Sequence, residues 1–466
     1  MRYLRSLVWF RRDLRNDDHA ALYHALKNTQ LVHCVFVFDT DILDQLSDNA
    51  DRRVEFIWES VRELKSALQM QGSDLIVLHG KAIEEIPNLA VQLKVNAVFS
   101  NRDYEPTAKQ RDTEISTKLA QLNIDFHQFK DQVLFEQDEL LTKSGKPYVV
   151  FTPYKKSHLE KLNAFYLKPY PVNQYSHHLV RTSTPDMMTL QELGFSRTNL
   201  SNLKLPTGMS GANTLFSDFS QRIQSYREAR NYPAVKGVSY LSTHLRFGTI
   251  SVRQLARLAW EMNGIGAEAW LSELIWRDFY FQLLHHHPCL AQSRAFKPMY
   301  EHLVFENNLE FFQAWCEGRT GYPLVDAAMR QLNQTGYMHN RLRMVTASFL
   351  VKDLLIDWRW GERYFAQKLI DFDFAANNGG WQWAASTGCD AQPWFRIFNP
   401  ITQSETYDPQ GQFLRKYLPE LAKMNDYEIH RPWQSLLNTE YPTPIVVHEL
   451  QRKRALDLYK AAQVHV

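Results

Sequence analysis

Three unlike side chains fall on one predicted helical face between His339 and Met344. Asn340, Arg343 and Met344 are spaced i, i+3 and i+4, and residues at these spacings are neighbours on a helix. A carboxamide, a guanidinium and a thioether are unusual as a hydrophobic core stripe. They suit a pocket that hydrogen-bonds a polar ring, holds a negative charge and offers an apolar contact. A solvated helix face would explain Arg343 alone, but it explains the three together less well.

A second segment, residues 371–383, concentrates polar and aromatic groups. Asp371 and Asp373 alternate with phenylalanine and lead into two asparagines, two glycines and the indoles of Trp381 and Trp383. Glycine lets the backbone approach a ligand closely. Carboxylates and amides can bind the polar edges of a ring or a sugar, and indoles can stack on rings or pass electrons. A helix cap followed by a packed turn is the alternative explanation, and the concentration of both kinds of group weakens it.

A third segment repeats the helical spacing with the acid Glu273, the indole Trp276 and the guanidinium Arg277. Two other patterns are better explained as structural. The glycines of residues 264–266 lie between two helical patterns and not at a strand-to-helix turn, so they do not predict a phosphate-binding loop. The histidines of residues 285–287 would point to different sides of a helix, so we predict no metal site there.

The elements that must position these residues are of two kinds. In the first part of the chain, short apolar runs alternate with helical patterns such as residues 53–70. The apolar runs are residues 4–10, 31–38, 74–79, 97–100 and 124–129. This alternation predicts an α/β domain with a doubly wound parallel sheet covered on both faces. Helical periodicity dominates the later part, so we predict the α/β domain over 1–130, an inter-domain linker over 131–215 and an all-α domain over 216–466.

The composition is that of an ordinary soluble protein, with 44% hydrophobic and 22% charged residues. The net charge of +2 excludes a general polyanion binder, and a nucleic-acid site is predicted as a local patch in the later part of the chain. No apolar run approaches membrane-spanning length. The four cysteines are scattered without a C-x-x-C pair, as in reduced cytosolic proteins. We expect a cytoplasmic, monomeric protein without a membrane partner.

Together with residues 320–330, Thr-Gly-Tyr-Pro-Leu-Val-Asp-Ala-Ala-Met-Arg, the three segments resemble class I photolyases of the photolyase/cryptochrome family. The resemblance runs from residues 9–15 to residues 441–446 and is weakest from 160 to 215. It implies a carbon–carbon lyase that repairs cyclobutane pyrimidine dimers in UV-damaged DNA with blue light. In that chemistry reduced FAD, excited by light, donates an electron to a dimer flipped out of the helix, and the electron returns after the dimer splits.

The resemblance implies that FAD binds in the helical domain. The positions that match FAD contacts of the family are Tyr226, Ser239, Leu241, Glu273, Arg277, Asn340, Arg343, Asp371, Asp373 and Asn377. Arg343 and Asp371 would form an ion pair beside the flavin ring, and Asn377 would face flavin N5 as a neutral amide. Val238 replaces a threonine of the family, which removes one hydroxyl contact with the cofactor.

The resemblance also assigns the contacts with DNA. The residues of the lesion pocket would be Glu273, Trp276, Asn340, Met344 and Trp383, with the two indoles stacking on the flipped dimer. The residues that hold phosphates would be Arg230, Arg341 and Arg396. Among these positions the groups nearest the chemistry would be Glu273, Trp276, Met344 and Asn377.

Two relatives within the family are disfavoured. Six-four photolyases place histidines at the positions of Asn340 and Met344, and neither residue is histidine here. Cryptochromes, which are blue-light photoreceptors without repair activity, usually replace the amide at Asn377 with Asp or Cys. A photoreceptor is the main alternative to a repair enzyme, and the retained amide at Asn377 disfavours it. A plain helical nucleic-acid-binding protein is a third interpretation.

The antenna chromophore stays open at this stage. Relatives that bind methenyltetrahydrofolate have an Asn-Glu pair where this chain has Thr107 and Ala108. The surroundings of residues 11–12, 38–39 and 103–106 look more like relatives that hold an 8-hydroxy-deazaflavin. We therefore expect a deazaflavin if a second chromophore is bound, and the absence of any antenna is the other possibility.

The route for photoreduction of the flavin is predicted to depart from that of the family. Relatives relay electrons along three tryptophans, of which Trp381 and Trp358 match the inner and middle members. Phe305 occupies the distal position, and phenylalanine is too hard to oxidise to act as a relay. Trp360 is the first candidate for the exit, followed by Trp315 and Tyr337.

Overall fold

Five strands form one parallel sheet in the first part of the chain. The computed structural model describes residues 1–436 and 440–464. The strands are β1 (Tyr3–Phe10), β2 (Thr29–Asp39), β3 (Leu75–Gly80), β4 (Ala97–Asn101) and β5 (Asp125–Phe129). Their order is β3-β2-β1-β4-β5, and all neighbouring pairs are parallel. The five predicted strands and the doubly wound α/β fold are confirmed, because the strand order reverses at β1.

The helices that cover this sheet begin where the sequence pattern changes. They are α1 (Ala20–Asn28), α2 (Thr40–Leu43), α3 (Arg52–Met70), α4 (Ala82–Gln92) and α5 (Pro106–Gln121). In α3 the apolar residues that recur at helical spacing, such as Val61, Leu64 and Leu68, are completely buried. Asp51 caps its start by accepting a hydrogen bond from the backbone N–H of Arg53 (2.7 Å).

Helices account for the rest of the regular structure, and no strand follows β5 among the described residues. The helices are α6 (Phe151–Lys161), α7 (Ala164–Leu167), α8 (Gly208–Ser220), α9 (Tyr226–Ala229), α10 (Ser242–Phe247), α11 (Val252–Met262), α12 (Ile265–His286), α13 (Leu309–Glu317), α14 (Pro323–Thr335), α15 (Asn340–Ser348), α16 (Trp358–Lys368), α17 (Phe374–Ala384), α18 (Pro400–Tyr407), α19 (Gln412–Tyr417) and α20 (His448–Val464). None of the helices in the described part of the chain combines the length and the apolar character that crossing a membrane requires.

Close contacts between Cα atoms divide the chain into two compact units. The first unit comprises Met1–Leu140, Lys155–Gln221 and Ser239–His285, and the second comprises Leu141–Tyr154, Arg222–Val238 and His286–Val466. The first unit thus contains the sheet together with α10, α11 and nearly all of α12. The predicted linker of residues 131–215 includes α6, α7 and the start of α8, and the predicted domain boundaries stay a prediction.

A buried network of charges connects the sheet of the first unit to α11. The guanidinium of Arg253 donates to Asp18 (2.9 Å) and to Asp131 (2.8 Å), and Arg15 donates to both oxygens of Asp131 (2.7 and 2.8 Å). Each of these four residues exposes at most 5% of its surface to solvent. Burial would raise the pKa of Asp131, but Arg15 and Arg253 hold it well below its usual range.

The core of the second unit surrounds α14. Asp326 in the first turn of α14 is completely buried and accepts hydrogen bonds from the backbone N–H and the hydroxyl of Thr320 (both 2.7 Å). The hydroxyl of Tyr441 donates to its second oxygen, as does the N–H of Gly321 (3.0 Å). Burial raises the pKa of Asp326 to about 6, although these donors oppose the change. Part of the 320–330 motif is therefore structural, since Asp326 closes the turn before α14.

Arg253→Met is expected to destabilise the protein by about 3 kcal/mol, because it leaves the buried carboxylates of Asp18 and Asp131 with one guanidinium fewer. The measurement is the free energy of unfolding in urea. Arg257→Met on the same helix is the control, since its guanidinium donates to the carbonyl of Leu167 (3.0 Å) and to no carboxylate in the described contacts. The control substitution should lower the free energy of unfolding by about 1 kcal/mol. Equal losses in both variants would contradict the role of the charge network.

Candidate functional site

The start of α15 brings the first predicted group of side chains together. His339 caps the helix, because its Nδ1 atom accepts a hydrogen bond from the backbone N–H of Arg341 (3.2 Å). Asn340 is exposed, and Arg343 and Met344 are half-buried, whereas Leu342 between them is completely buried. The helical face predicted from the i, i+3, i+4 spacing is therefore formed.

Arg343 is fixed by an ion pair and by the backbone. Its Nη2 atom donates to both oxygens of Asp371 (2.8 and 3.0 Å), and its Nε atom donates to the carbonyl of Met338 (2.9 Å). The side chain of Asp371 is 3% exposed and that of Arg343 is 27% exposed. The predicted pairing of these two residues is present, and it presents a guanidinium whose orientation is already set.

Asn377 lies one turn into α17 and is held by α16. Asp373 caps α17 by accepting from the N–H of Ala376 (3.3 Å). The amide nitrogen of Asn377 donates to the backbone carbonyl of Glu362 (3.0 Å) and more weakly to its carboxylate (3.4 Å). Burial raises the pKa of Glu362, although the amide opposes the change. The contact with Glu362 therefore orients a neutral amide whose oxygen stays available to a ligand.

A cluster of positive charge surrounds the cap of α15. Burial and the guanidiniums of Arg341, Arg343 and Arg230 lower the pKa of His339 to about 4. Arg341 lies over the ring of Tyr407, with its guanidinium carbon 3.7 Å from the ring centroid, and donates to Asn231 (2.6 Å). Its Nε atom is buried without a hydrogen-bond partner in the described residues. Such a concentration of guanidiniums can attract an anion, for example a phosphate.

The predicted residues of the first unit lie mainly on α12. Glu273, Trp276 and Arg277 are half-buried on one face, while Leu274 and Phe279 are buried on the other. The indole of Trp276 packs against Tyr280 with ring centroids 5.5 Å apart. Arg277 donates to the carbonyl of Gln132. The third predicted spacing therefore also corresponds to one face of a helix.

The predicted site residues are divided between the two units. The group of the first unit is Ser239, Leu241, Glu273, Trp276 and Arg277. The group of the second unit is Tyr226, Arg230, Asn340, Arg341, Arg343, Met344, Asp371, Asp373, Asn377, Trp383 and Arg396. Of these, Leu241 and Tyr226 are buried, Arg230 is half-buried, and Arg396 is exposed.

The inner tryptophans of the second unit are deeply buried. Trp381 and Trp358 are at most 2% exposed, and the Nε1 atom of each has no hydrogen-bond partner in the described part of the chain. The ring of Trp381 contacts Phe365 (centroids 5.0 Å apart) and Trp315 (6.1 Å). The same ring lies against Gly361, where an added Cβ atom would come within 2.1 Å of it.

Trp360 is connected to Trp381 through two other rings. It packs edge-on against Phe312 (centroids 5.2 Å apart), and Phe312 stacks on Trp315 (5.9 Å). Trp315 is completely buried, and its indole N–H donates to the carbonyl of Thr346 (3.1 Å). Phe305 is buried in the same core. Trp315, a secondary candidate from the sequence, is therefore the indole in direct ring contact with Trp381.

Two residues at the site were missed by the sequence analysis. His339 is an uncommon helix cap, and its only signal is its position directly before Asn340. Glu362 lies fifteen positions before Asn377, and nothing in the local pattern links the two. Only the packing of α16 against α17 shows that Glu362 orients the amide.

The expected antenna surroundings meet at the carboxyl ends of β1, β2 and β4. The guanidiniums of Arg11 and Arg111 both lie over the indole of Trp9, at 4.6 and 5.3 Å from the ring centroid. Arg11 forms an ion pair with Asp112 (2.5 Å) and Arg111 forms one with Asp39 (3.1 Å). A cleft of about 610 Å³ runs along α5 nearby and includes Asp112 in its lining.

Comparison with known proteins gives a consistent result along the chain. Residues 6–174 match the family model described as DNA photolyase, and residues 270–461 match the FAD binding domain of DNA photolyase. A deoxyribodipyrimidine photo-lyase of Vibrio cholerae is 42% identical over 98% of this chain and 99% of its own length. The structure of a class III photolyase from Agrobacterium tumefaciens covers 99% of this chain and 98% of its own, with a TM-score of 0.90 and 33% identity. A cryptochrome structure from Synechocystis covers 98% and 100%, with a TM-score of 0.87 and 29% identity.

Asn377→Asp is expected to destabilise the protein increasingly as pH rises, because it places a second carboxylate beside that of Glu362. The folded-state pKa of one carboxyl group would lie above its unfolded value, so stability is lost as pH rises from the unfolded pKa through the folded pKa. The measurement is the free energy of unfolding between pH 5 and pH 8, with a loss of about 2 kcal/mol at the upper end.

Asn378→Asp is the matched control for this experiment. The side-chain oxygen of Asn378 accepts a hydrogen bond from Gln382 (3.0 Å), and a carboxylate keeps that donor. Because Asn378 is also buried, the control should lose some stability as pH rises, but less than Asn377→Asp, since Gln382 still donates to it and its described contacts include no carboxylate. A flat pH profile for Asn377→Asp would show that Glu362 does not face the residue at position 377.

Proposed function

The chain belongs to the DNA photolyase family, and from that membership we propose that it repairs cyclobutane pyrimidine dimers in UV-damaged DNA, using light and reduced FAD. The observation that supports this most is the first turn and a half of α15. Arg341 lies there in the cluster of positive charge, Arg343 is held by Asp371, and Met344 shares a face with Asn340. One short segment thus provides groups suited to a phosphate, to a cofactor and to a lesion.

The side chains of the second unit fit FAD as a bound cofactor. Arg343 offers an oriented guanidinium, Asn377 offers a neutral amide, and Asp371 and Asp373 offer buried carboxylates. When bound and reduced, FAD supplies the electron that light transfers to the dimer. The neutral amide of Asn377 adds no negative charge, so it can face an electron-rich ring without the repulsion that a carboxylate would cause. The remaining cofactor contacts that we propose are Tyr226, Ser239, Leu241, Glu273, Arg277 and Asn340.

The proposed substrate is DNA with the damaged bases flipped out of the helix. We assign Trp276 and Trp383 to stacking on the dimer, and we assign Glu273, Asn340 and Met344 to its polar and apolar edges. Arg230, Arg341 and Arg396 are assigned to phosphates, which position the duplex without reading its sequence. The protein is proposed to act as a monomer.

The character of His339 supports a cyclobutane dimer over a six-four product as the substrate. Repair of the latter is attributed in the family to histidines that donate protons, at the positions of Asn340 and Met344. His339 directly precedes Asn340, but burial and three guanidiniums lower its pKa to about 4. At neutral pH it carries no proton to donate from Nδ1, which instead accepts the N–H of Arg341.

A second chromophore of the 8-hydroxy-deazaflavin type is proposed for the first unit. The cleft along α5 is lined by the hydrogen-bond donors Arg102 and Lys109 and by Asp112, the ion-pair partner of Arg11. Thr107 and Ala108 provide no carboxylate or amide for a folate. Release of the bound chromophores and identification by mass decides between a deazaflavin, a folate and none.

Illumination of the reduced protein with a duplex that contains one thymine dimer is expected to restore the two thymines. The measurement is chromatography of the products, with the same mixture in the dark as the control. A duplex with a six-four product should stay unchanged. Repair of the six-four product alone would contradict the proposed substrate, and absence of repair in a protein that retains FAD would favour the photoreceptor alternative.

Light-driven reduction of the bound cofactor is expected to depend on Trp358 and Trp381. We expect the electron to enter the relay from the surface at Trp360. Trp358→Phe should abolish photoreduction while repair by chemically reduced protein continues, because repair does not need the relay. Trp360→Phe and Trp315→Phe should each slow photoreduction by about tenfold, since each removes an oxidisable ring from the contacts between Trp381 and the surface. Transient absorption of the tryptophan radicals is the measurement.

Two variants serve as controls for the relay. Trp260→Phe removes a 40% exposed indole of α11 and should leave photoreduction unchanged. Phe305→Trp should preserve the rate or increase it, because it adds an oxidisable ring at the distal position. Full-speed radical formation in Trp360→Phe would exclude that residue as the exit, and a normal rate in Trp315→Phe would exclude the route through the ring contact of 6.1 Å.

A further inference from the structure

The loop that follows α17, residues 386–396, contains exposed groups suited to DNA. Arg396 is exposed at its end, and the preceding Phe395 is 57% exposed. The first residues of the loop are buried and its end is exposed, so the shape of that end depends on hydrogen bonds to the rest of the unit. Asp390 accepts from the backbone N–H of Phe151 (3.0 Å), and the N–H of Gln392 donates to the carbonyl of Trp383 (3.3 Å).

The two ends of this loop are joined by one buried lysine. The ammonium group of Lys352 donates to the hydroxyl of Ser386 (3.0 Å) and to the backbone carbonyl of Arg396 (3.2 Å). Lys352 is 0% exposed. Its hydrogen bonds connect the first and last residues of the loop through a single charged group, while the hydroxyl of Tyr459 donates to Ala385 just before the loop.

A buried lysine needs a physical reason, because a desolvated ammonium is costly unless it is well paired. The neighbouring carboxylate of Asp353 is bound by Nδ1 of His448 (2.5 Å), and both hydrogen-bond acceptors of Lys352 belong to the loop. Burial lowers the pKa of Lys352 to about 7, although Asp353 opposes the change. The position of this charge is therefore accounted for by the loop rather than by an ion pair.

The backbone that places Lys352 is itself irregular. α15 continues into a π-helical turn, Phe349–Asp353, in which the N–H of Leu354 bonds to the carbonyl of Phe349 five residues earlier (3.0 Å). Wide turns of this kind are rare and occur often at functional positions. Lys352, which holds the loop, therefore lies in the turn that directly follows α15, the helix of Asn340 and Arg343.

We propose that Lys352 is a positioning residue for DNA binding, which holds loop 386–396 in the shape that presents Arg396 to a phosphate. The proposal rests on the proposed function, because it requires that the protein binds DNA through Arg396. Lys352 itself is buried and contacts no substrate. Its effect on DNA must therefore pass through the loop.

Lys352→Met keeps an unbranched apolar stem and removes the ammonium. In the dark it should weaken binding of damaged and undamaged duplex alike by about fivefold, since the loop then loses the two hydrogen bonds that Lys352 donates. The slope of log Kd against log salt should fall by about 0.9, which corresponds to one lost phosphate contact. At saturating DNA the repair rate should stay within about twofold of the wild type, so that KM changes and kcat does not.

A double-mutant cycle with Arg396→Ala separates positioning from a general loss of stability. If Lys352 acts through Arg396, Lys352→Met should have little further effect on Kd in the Arg396→Ala protein. Lys453→Met, at an exposed position of α20, controls for the loss of one positive charge and should bind DNA normally. Multiplicative effects of Lys352→Met and Arg396→Ala would overturn the proposal.

Ser386→Ala keeps the test decisive if Lys352→Met does not fold. It removes one of the two acceptors on the loop and should weaken DNA binding by about twofold, with faster hydrogen exchange in residues 386–396. Unchanged binding in this variant, or in a folded Lys352→Met protein, would overturn the proposal. Failure of the wild-type protein to bind DNA would instead contradict the proposed function.

Discussion

The ion pair between Arg343 and Asp371 is the interaction on which the arrangement of the second unit depends. Arg343 belongs to α15, and Asp371 belongs to the short segment that joins α16 to α17. The same guanidinium also bonds to the carbonyl of Met338, before α15 begins. One side chain therefore fixes the start of α15 relative to the segment that leads into α17. Breaking the pair would leave the buried carboxylate of Asp371 uncompensated. The pair therefore holds together α15, the helix of Asn340 and Met344, and the segment that leads into α17, the helix of Asn377.

Local patterns predicted the elements well, because burial imposes a period on the sequence. The apolar runs of the parallel strands and the spacing of Glu273, Trp276 and Arg277 are visible without any knowledge of tertiary contacts. The partner that orients Asn377 was not predictable in this way, since Glu362 belongs to another helix. The ring contact between Trp315 and Trp381 joins residues 66 positions apart, and the π-helical turn at Lys352 has no signature in composition. The assignment of α10 and α11 to the unit of the sheet likewise depends on packing and not on periodicity.

The charge of the molecule is organised locally and not overall. The net charge of +2 is small, yet Arg230, Arg341 and Arg343 lie close enough to His339 to lower its pKa to about 4. The pKa values of three cysteines are changed in the opposite direction. Burial raises the pKa of Cys34, Cys316 and Cys389 to about 12, so these thiols stay protonated at neutral pH.

The contact between Gly361 and Trp381 makes two distant positions dependent on each other. A Cβ atom at position 361 would lie 2.1 Å from the indole and 2.6 Å from Leu350, so no larger residue fits while the indole is present. Position 361 can accept a side chain only after the ring at position 381 has become smaller. The order in which substitutions can accumulate is therefore constrained. This epistasis means that a substitution at position 361 is tolerated only after a substitution at position 381. The glycine in the first turn of α16, which by helix propensity alone would be replaced by alanine, is retained because the indole of Trp381 and the side chain of Leu350 fill the space beside it.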